Sequence, residues 1–166
     1  MDQQTVRHTI PPVYDKNSRV LLLGTMPSPK SREAGFFYGH PRNRMWPVLA
    51  RVFGEETPMG AVARRDFLLR HRIAMWDVLS SCSIQGADDG SIRDPEPNDL
   101  SPILSAAPIA AIFTTGKKAQ SLYDRYIRLI TGREATCLPS TSPANCRNQT
   151  LETLTEAYRV LRDYTG

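Results

Sequence analysis

Residues 24–46, GTMPSPKSREAGFFYGHPRNRMW, bring together several side chains that could do chemistry. The prolines fix φ and remove backbone donors, whereas Gly24 and Gly39 let the backbone approach a ligand closely. The consecutive aromatic residues 36–38 lie near Lys and Arg side chains, and this combination suits stacking on a nucleobase. The segment therefore predicts a stiff, preformed pocket for a base. The alternative is an Ω-loop whose three rings all belong to the core.

Residues 139–145, PSTSPAN, form a second candidate segment, here called the late loop. They follow a predicted strand, precede a predicted helix and carry three hydroxyl groups. Hydroxyls and free backbone N–H groups at the start of a helix bind phosphate well. The late loop therefore predicts a phosphate contact. The alternative is that Ser142 or Asn145 simply caps the helix that follows.

A third segment, TTGKKA at residues 114–119, superficially resembles a nucleotide-phosphate loop. It has no glycine five residues before Gly116 and no Ser or Thr after Lys117, so the full phosphate-loop pattern is absent. A nucleoside triphosphatase is therefore disfavoured. Lys117 and Lys118 open a predicted helix and remain candidates for contact with phosphate.

The three segments share one position, because each directly follows a short apolar run. These runs are hydrophobic at nearly every position, which is typical of strands covered on both faces. Between them lie stretches whose apolar residues have the spacing of amphipathic helices. This order predicts one domain over residues 1–166, an α/β fold built as a three-layer α/β/α sandwich with a central, mainly parallel four-stranded sheet. Ligands of such sheets bind beyond the carboxyl ends of the strands. The predicted strands are residues 19–24, 73–79, 110–115 and 135–139, and residues 80–98 are predicted to be an irregular loop.

The charge of the chain is unevenly distributed around a net value of +4. Residues 28–72 carry nine Lys and Arg against four acids, whereas residues 88–99 carry five acids and one Arg. Most of the cations are Arg, whose planar guanidinium group can donate two hydrogen bonds to the oxygens of one phosphate. An anionic polymer is therefore a reasonable partner. The alternative is an ordinary solvated basic face.

Composition disfavours several other classes of protein. Three cysteines without a C-x-x-C pair disfavour a disulfide scaffold, a zinc knuckle and a four-thiolate cluster, and they are expected to be reduced thiols. No apolar run is long enough to span a bilayer, and the first ten residues lack the order of a signal peptide. A cytoplasmic monomer that needs no metal and no cofactor is expected.

The motifs of these segments, taken in chain order, resemble the uracil-DNA glycosylase superfamily. G-x-x-P-S followed by aromatic-x-H-P-x-N-R-x-W is similar to its mismatch-specific branch and closer still to the hypoxanthine-DNA glycosylases. The resemblance covers nearly the whole chain. The matching residues are Ser31, Arg32, Glu33, 35–41, Asn43, Arg44, 76–79, 97–99 and 138–145.

The resemblance implies a role for each matching residue in releasing a base that has rotated out of the DNA. Mismatch-specific relatives hold the attacking water with an Asn at the position of Met26, and a thioether cannot orient water. In the hypoxanthine branch the Asn of H-P-x-N takes over, which makes Asn43 the expected catalytic residue; the alternative is that it caps the next helix. The residues expected to contact the base are Gly24, Thr25, Met26, Tyr38, whose ring would stack on it, His40 and Thr115.

The residues expected to bind DNA come from the same segments. In the relatives the segment that corresponds to the late loop compresses the DNA backbone and inserts a side chain into the duplex where the base has left. The inserted residue corresponds to Ala144 here, which is much smaller than the Leu of the mismatch-specific enzymes. The expected DNA-binding residues are Ser28, Lys30, Arg32, Arg44, Lys117, Ser140, Ser142, Ala144, Asn145 and Arg147.

The sequence also allows roles outside the chemistry for the histidines and for two acids. His40 could donate to a developing anion, or its ring could fix the turn by bonding to backbone. His8 and His71 lack a partner pattern and are expected at the surface. Asp88 and Asp89 are expected to be solvated.

The sequence therefore predicts a monofunctional DNA glycosylase that flips out a deaminated base and hydrolyses its glycosidic bond with an Asn-positioned water. Hypoxanthine from deoxyinosine is the expected base, and double-stranded or single-stranded DNA the expected partner. Alternatives are a uracil-preferring glycosylase, a non-cleaving protein that binds flipped bases, and a small-molecule α/β enzyme.

Overall fold

The structure is a computed structural model that describes residues 3–86, 88–145 and 147–165. Its strands are β1 (Gln4–Arg7), β2 (Val20–Gly24), β3 (Ile73–Asp77), β4 (Leu79–Gln85), β5 (Asp88–Pro97), β6 (Ala111–Thr115) and β7 (Ala135–Leu138). Its helices are α1 (Pro29–Ala34), α2 (Met45–Phe53), α3 (Gly60–Arg70), α4 (Ser101–Ala106), α5 (Lys117–Tyr126), α6 (Arg128–Thr131), α7 (Leu151–Tyr158) and α8 (Arg162–Thr165). Short 3-10 turns occur at Pro143–Asn145 and Arg159–Leu161.

The central sheet has four parallel strands in the order β3-β2-β6-β7. Every residue of β2 is buried, because helices or a second sheet cover both faces of the central sheet. Side chains alternate between the two layers: Val20 and Leu22 pack with helices α2, α3 and α7, whereas Leu21 and Leu23 pack with α4, α5 and the second sheet. The predicted three-layer α/β/α fold is confirmed.

The second sheet corrects the prediction for residues 80–98. Strands β4 and β5 form an antiparallel hairpin, and β1 pairs with the other edge of β4. Within residues 80–85 of β4 only Cys82 and Ile84 are buried. The prediction of an irregular loop was wrong because these two apolar residues are separated by polar ones and the sheet is completed by a strand far away in sequence.

The end of β3 is tied directly to the end of β2. Asp77 is the register partner of Gly24. The chain then continues along the segment that follows β2, since the Val78 N–H donates to the Gly24 carbonyl at 2.7 Å and the Leu79 N–H to the Thr25 carbonyl at 3.1 Å. Asp77, at the end of β3, and Thr25, just after β2, are therefore held at the same edge of the sheet.

Two further observations bear on the sequence predictions. Cys82 is buried and Cys137 is exposed, and Cys146 lies outside the described residues. None of the described helices is long and apolar enough to span a membrane.

Candidate active site

A cavity of about 340 Å³ opens at the carboxyl edge of the central sheet. Its walls come from the segment after β2, the end of β3, the β4–β5 hairpin, the end of β6 and the late loop. All six residues expected to contact a base, and Asn43, line it. It is also lined by Asp77, Ile84, Asp89 and Thr141, which the sequence did not single out for this cavity.

Three polar groups converge on Gly24, at the floor of the cavity. A Cβ atom at this position would lie 2.4 Å from Asp77 Oδ1, 3.0 Å from the Tyr38 hydroxyl and 3.6 Å from Thr115 Oγ1. The first distance is far below van der Waals contact. A side chain at residue 24 would therefore displace the carboxylate, so glycine is required for this arrangement.

Tyr38 faces the cavity with its hydroxyl group bonded to the Thr115 hydroxyl, at 3.0 Å. Burial and the nearby charge of Asp77 raise the pKa of Tyr38, so its hydroxyl stays protonated. Two hydroxyls carry two hydrogens and their mutual bond uses one. The other has only a long contact, 3.5 Å from Thr115 Oγ1 to the Leu23 carbonyl, and can be donated to a ligand instead. Phe36 and Phe37 are buried in the core, so only part of the aromatic run follows the Ω-loop alternative.

Asn43 has its side-chain oxygen occupied. Its Oδ1 accepts from the Met45 N–H at 2.9 Å and from the Thr141 hydroxyl at 2.8 Å. The first bond supports the start of α2 and the second ties this turn to the late loop. Because both lone pairs of the oxygen are used, the amide Nδ2 is the group that Asn43 can offer to the cavity.

Asp77 is a buried carboxylate with one oxygen tied and the other at the cavity floor. Its Oδ2 lies 2.8 Å from His8 Nε2, and its side chain is 5% exposed. Oδ1 lies beside Gly24 and has no hydrogen-bond partner among the groups that the structure describes. It is therefore an available acceptor.

Both histidines expected at the surface make buried or partly buried contacts instead. The His8 side chain is only 2% exposed. The His71 ring stacks on Phe53, with 4.2 Å between ring centroids, and its Nε2 pairs with Glu55. The surface prediction was wrong because their carboxylate and aromatic partners are distant in sequence.

The position of His40 is compatible with both roles that the sequence left open. Its Nδ1 accepts from the Arg42 N–H at 3.0 Å, so the ring does fix the turn. It also lines the cavity. In the neutral ring an accepting Nδ1 leaves the proton on Nε2, which is then a donor.

The hairpin places a second carboxylate at the cavity. Asp88 and Asp89 are both exposed, as expected. Asp89 also lines the cavity, which the sequence did not predict, whereas Asp88 does not. Desolvation raises the pKa of Asp89, and the charges of Asp77 and Asp88 raise it further. A hydrogen bond from Thr25 and the charge of Lys118 oppose the increase in this pKa.

The late loop is held by its own side chains. The Asn145 amide donates to the Ser140 carbonyl at 2.9 Å, and the Ser142 hydroxyl accepts from the Ala144 N–H at 3.2 Å. Neither Ser142 nor Asn145 caps α7, since Thr150 does so. Ser140, Ser142 and Ala144 line the cavity, and Arg147 is exposed.

The remaining candidate DNA-binding residues occupy varied positions. Ser28 caps α1 and lines the cavity, and Lys30 is exposed beside Glu33. Lys117 is exposed at the start of α5, where Gly116 packs against Ser140. Two arginines are only partly exposed. Burial raises the pKa of the Cys82 thiol, and the charge of Arg32 opposes this increase. The Arg44 guanidinium donates to the Gln149 carbonyl.

Comparison with known proteins gives one family. A family profile for the uracil DNA glycosylase superfamily matches residues 11–162. A Methanosarcina acetivorans protein named hypoxanthine DNA glycosylase is 35% identical over 144 residues, which are 86% of this chain and 90% of that protein. A Methanosarcina barkeri protein of the same name is 34% identical over 140 residues, 83% of this chain and 87% of the relative.

A solved structure agrees with these sequence relatives. The solution NMR structure of a Methanosarcina acetivorans protein, assigned by name to the uracil DNA glycosylases, superposes with a TM-score of 0.79 at 31% identity. The alignment covers 96% of this chain and 99% of the NMR structure.

Proposed function

The chain belongs to the uracil DNA glycosylase superfamily and is a monofunctional DNA glycosylase, and from this premise we propose that it releases hypoxanthine from deoxyinosine in DNA. The observation that carries the choice of base is the polarity of the cavity floor. The free acceptor Asp77 Oδ1 and the spare donor of the Tyr38–Thr115 hydroxyl pair both lie around Gly24. The names of the two Methanosarcina relatives support the same base.

Hypoxanthine presents the matching polarity on its Watson–Crick edge. Its N1–H would donate to Asp77, and its O6 would accept from the hydroxyl pair. Adenine presents an amino group and a bare N1 at these positions, so its lone pair would face a carboxylate. Uracil has the same N–H and carbonyl order as hypoxanthine, which keeps it as the second candidate.

For the chemical step, we assign Asn43 to hold the attacking water by donating from Nδ2, since its oxygen is already bonded twice. The water oxygen bonds to C1′ of the sugar as the bond from C1′ to N9 breaks and its electron pair leaves with the base. The water proton passes to the Asp89 carboxylate, which faces the same cavity. The His40 and hydroxyl donors would stabilise the charge on the departing base.

The direct test is incubation of the purified protein with oligonucleotides that each carry one deoxyinosine, deoxyuridine or deoxyxanthosine, in single and double strands. Alkali then cleaves the abasic sites. Strand breaks confined mainly to deoxyinosine would support the proposal. Mainly uracil release would identify the alternative base, and tight binding without any abasic product would identify a non-cleaving protein.

The role of Asp89 predicts a specific dependence on pH. A general base works only when deprotonated, and the pKa of Asp89 is raised, so base release should increase as pH rises through values above the ordinary Asp range. Asp89→Asn should slow release and remove this increase, measured as single-turnover rates from acidic to neutral pH. Asp88→Asn is the matched control on the neighbouring exposed carboxylate: because the charge of Asp88 raises the pKa of Asp89, this variant should keep the increase and move it only to lower pH. A pH profile unchanged in Asp89→Asn would contradict the role.

The position of Lys117 predicts a contact with phosphate. Lys117→Ala should weaken binding to any DNA sequence and reduce the slope of log affinity against log salt by about 1. Fluorescence anisotropy at several salt concentrations measures both effects. Lys16→Ala is the control, because Lys16 is exposed in the turn before β2, at the opposite edge of the sheet. Equal slopes for the two variants would exclude the contact.

A further inference from the structure

The residue that follows strand β1, His8, contacts the site from outside the cavity, although it precedes the region that the family profile matches, which begins at residue 11. Strand β1 pairs with β4, and the His8 N–H extends this pairing by donating to the Ser80 carbonyl at 2.7 Å. His8 is thereby brought to the end of β3, next to the cavity floor.

The His8 ring is fixed on three sides. Its Nε2 lies 2.8 Å from Asp77 Oδ2. The Phe37 ring packs against it with a centroid distance of 6.1 Å, and the Trp76 ring with 5.9 Å. With its side chain 2% exposed, the imidazole cannot turn away without displacing these rings.

We propose that His8 is a positioning residue for base recognition, an inference that rests on the proposed function. Its Nε2–H donates to Asp77 Oδ2 and holds the carboxylate plane so that Oδ1 stays at the cavity floor, beside Gly24. Without this bond the buried carboxylate would lose its partner and could rotate or take up water. His8 touches no substrate itself and acts only through Asp77.

The His8–Asp77 contact differs from ordinary core packing because it leaves Asp77 Oδ1 free at the cavity floor. A histidine that merely satisfied a buried acid would have no effect on a reaction that does not use that acid. Here the partner carboxylate is the acceptor for the base edge, so the orientation of the imidazole sets the orientation of the recognition group. Removing a hydrogen bond that orients a metal ligand from behind commonly lowers affinity or activity ten-fold or more, and a loss of similar order is expected here.

The test compares His8→Ala, His8→Gln and the neighbouring exposed Arg7→Ala by steady-state release of hypoxanthine. His8→Ala should lower kcat/KM by about ten-fold. His8→Gln, whose amide can still donate to Asp77, should recover part of the loss, and Arg7→Ala should match the wild type. In the Asp77→Asn background, His8→Ala should cause little further loss.

The outcomes separate this inference from the proposed function. Normal kcat/KM in His8→Ala, with hypoxanthine released by the wild type, overturns the positioning role and leaves the proposed function standing. Failure of the wild type to release hypoxanthine overturns the proposed function. The contact is then still tested by NMR of protein labelled with 15N-histidine: a His8 signal that does not move in Asp77→Asn overturns the inference, whatever the activity.

Discussion

Replacing Asn43 with alanine should slow hypoxanthine release by about 10²–10³-fold, the usual cost of removing one well-placed donor at a reacting centre. The variant loses the Nδ2 group that would hold the attacking water, while the DNA-contacting surface remains. DNA affinity should therefore change little. Single-turnover release from deoxyinosine duplexes and anisotropy with the same duplexes measure the two quantities separately.

The structural duties of Asn43 require a second variant. Alanine also removes the acceptor for the Met45 N–H and the Thr141 hydroxyl, which should cost about 1 kcal/mol of stability. Asn43→Asp keeps an oxygen for both bonds but has no amide donor. It should fold normally and be as slow as Asn43→Ala. An Asp variant at or above the wild-type rate would show that an acceptor is needed at residue 43, and would contradict the donor assignment.

The sequence predicted the parts of the site that follow from short-range order. Gly24, Tyr38 and Thr115 lie at or just after strand ends, and parallel strands end at one edge of a sheet, so a shared cavity could be expected. Asn43 could be placed there from its motif. The sequence left its catalytic and capping roles open. In the structure Arg44 is the N-cap residue of α2, while the Asn43 oxygen accepts from the first N–H of the helix and its amide nitrogen remains available.

Contacts between distant segments could not be predicted in this way. His8 reaches Asp77 across 69 positions, through the pairing of β1 with β4. That pairing depends on a strand in which apolar and polar residues alternate weakly. Asp89 enters the cavity only because the β4–β5 hairpin folds over it. A charge run such as residues 88–99 gives no indication of which acid will face inward.

Arg44 shows the same limit for the expected DNA contacts. Its place in the H-P-x-N-R motif implies a DNA-binding role. In the structure the side chain is partly buried and donates to the carbonyl of Gln149, just beyond the late loop. The motif therefore also serves to connect the segment after β2 to the chain near the late loop. The Arg44 backbone N–H, which donates to the Thr141 carbonyl at 3.1 Å, reinforces this connection.

Replacing Asp77 with asparagine should lower kcat/KM for hypoxanthine release by about 10²-fold, within the cost of mismatching a buried polar pair. His8 Nε2–H favours the amide oxygen of the new side chain, so the amide nitrogen would face the cavity. A donor would then meet the N1–H of hypoxanthine. The same donor would suit the bare N1 of adenine, so discrimination against adenine should also fall.

The measurement is single-turnover release from duplexes that carry deoxyinosine or deoxyadenosine at the same position. Thermal unfolding shows whether loss of the buried charge affects folding, and Asp163→Asn, at an exposed carboxylate in α8, provides the matched control. A variant that is folded but slow on deoxyinosine, with a smaller preference over deoxyadenosine, would identify Asp77 as the group that reads the base edge. Wild-type rates in folded Asp77→Asn would mean that the base binds with its N–H directed elsewhere, and the basis for choosing hypoxanthine over adenine would then have to lie outside the cavity floor.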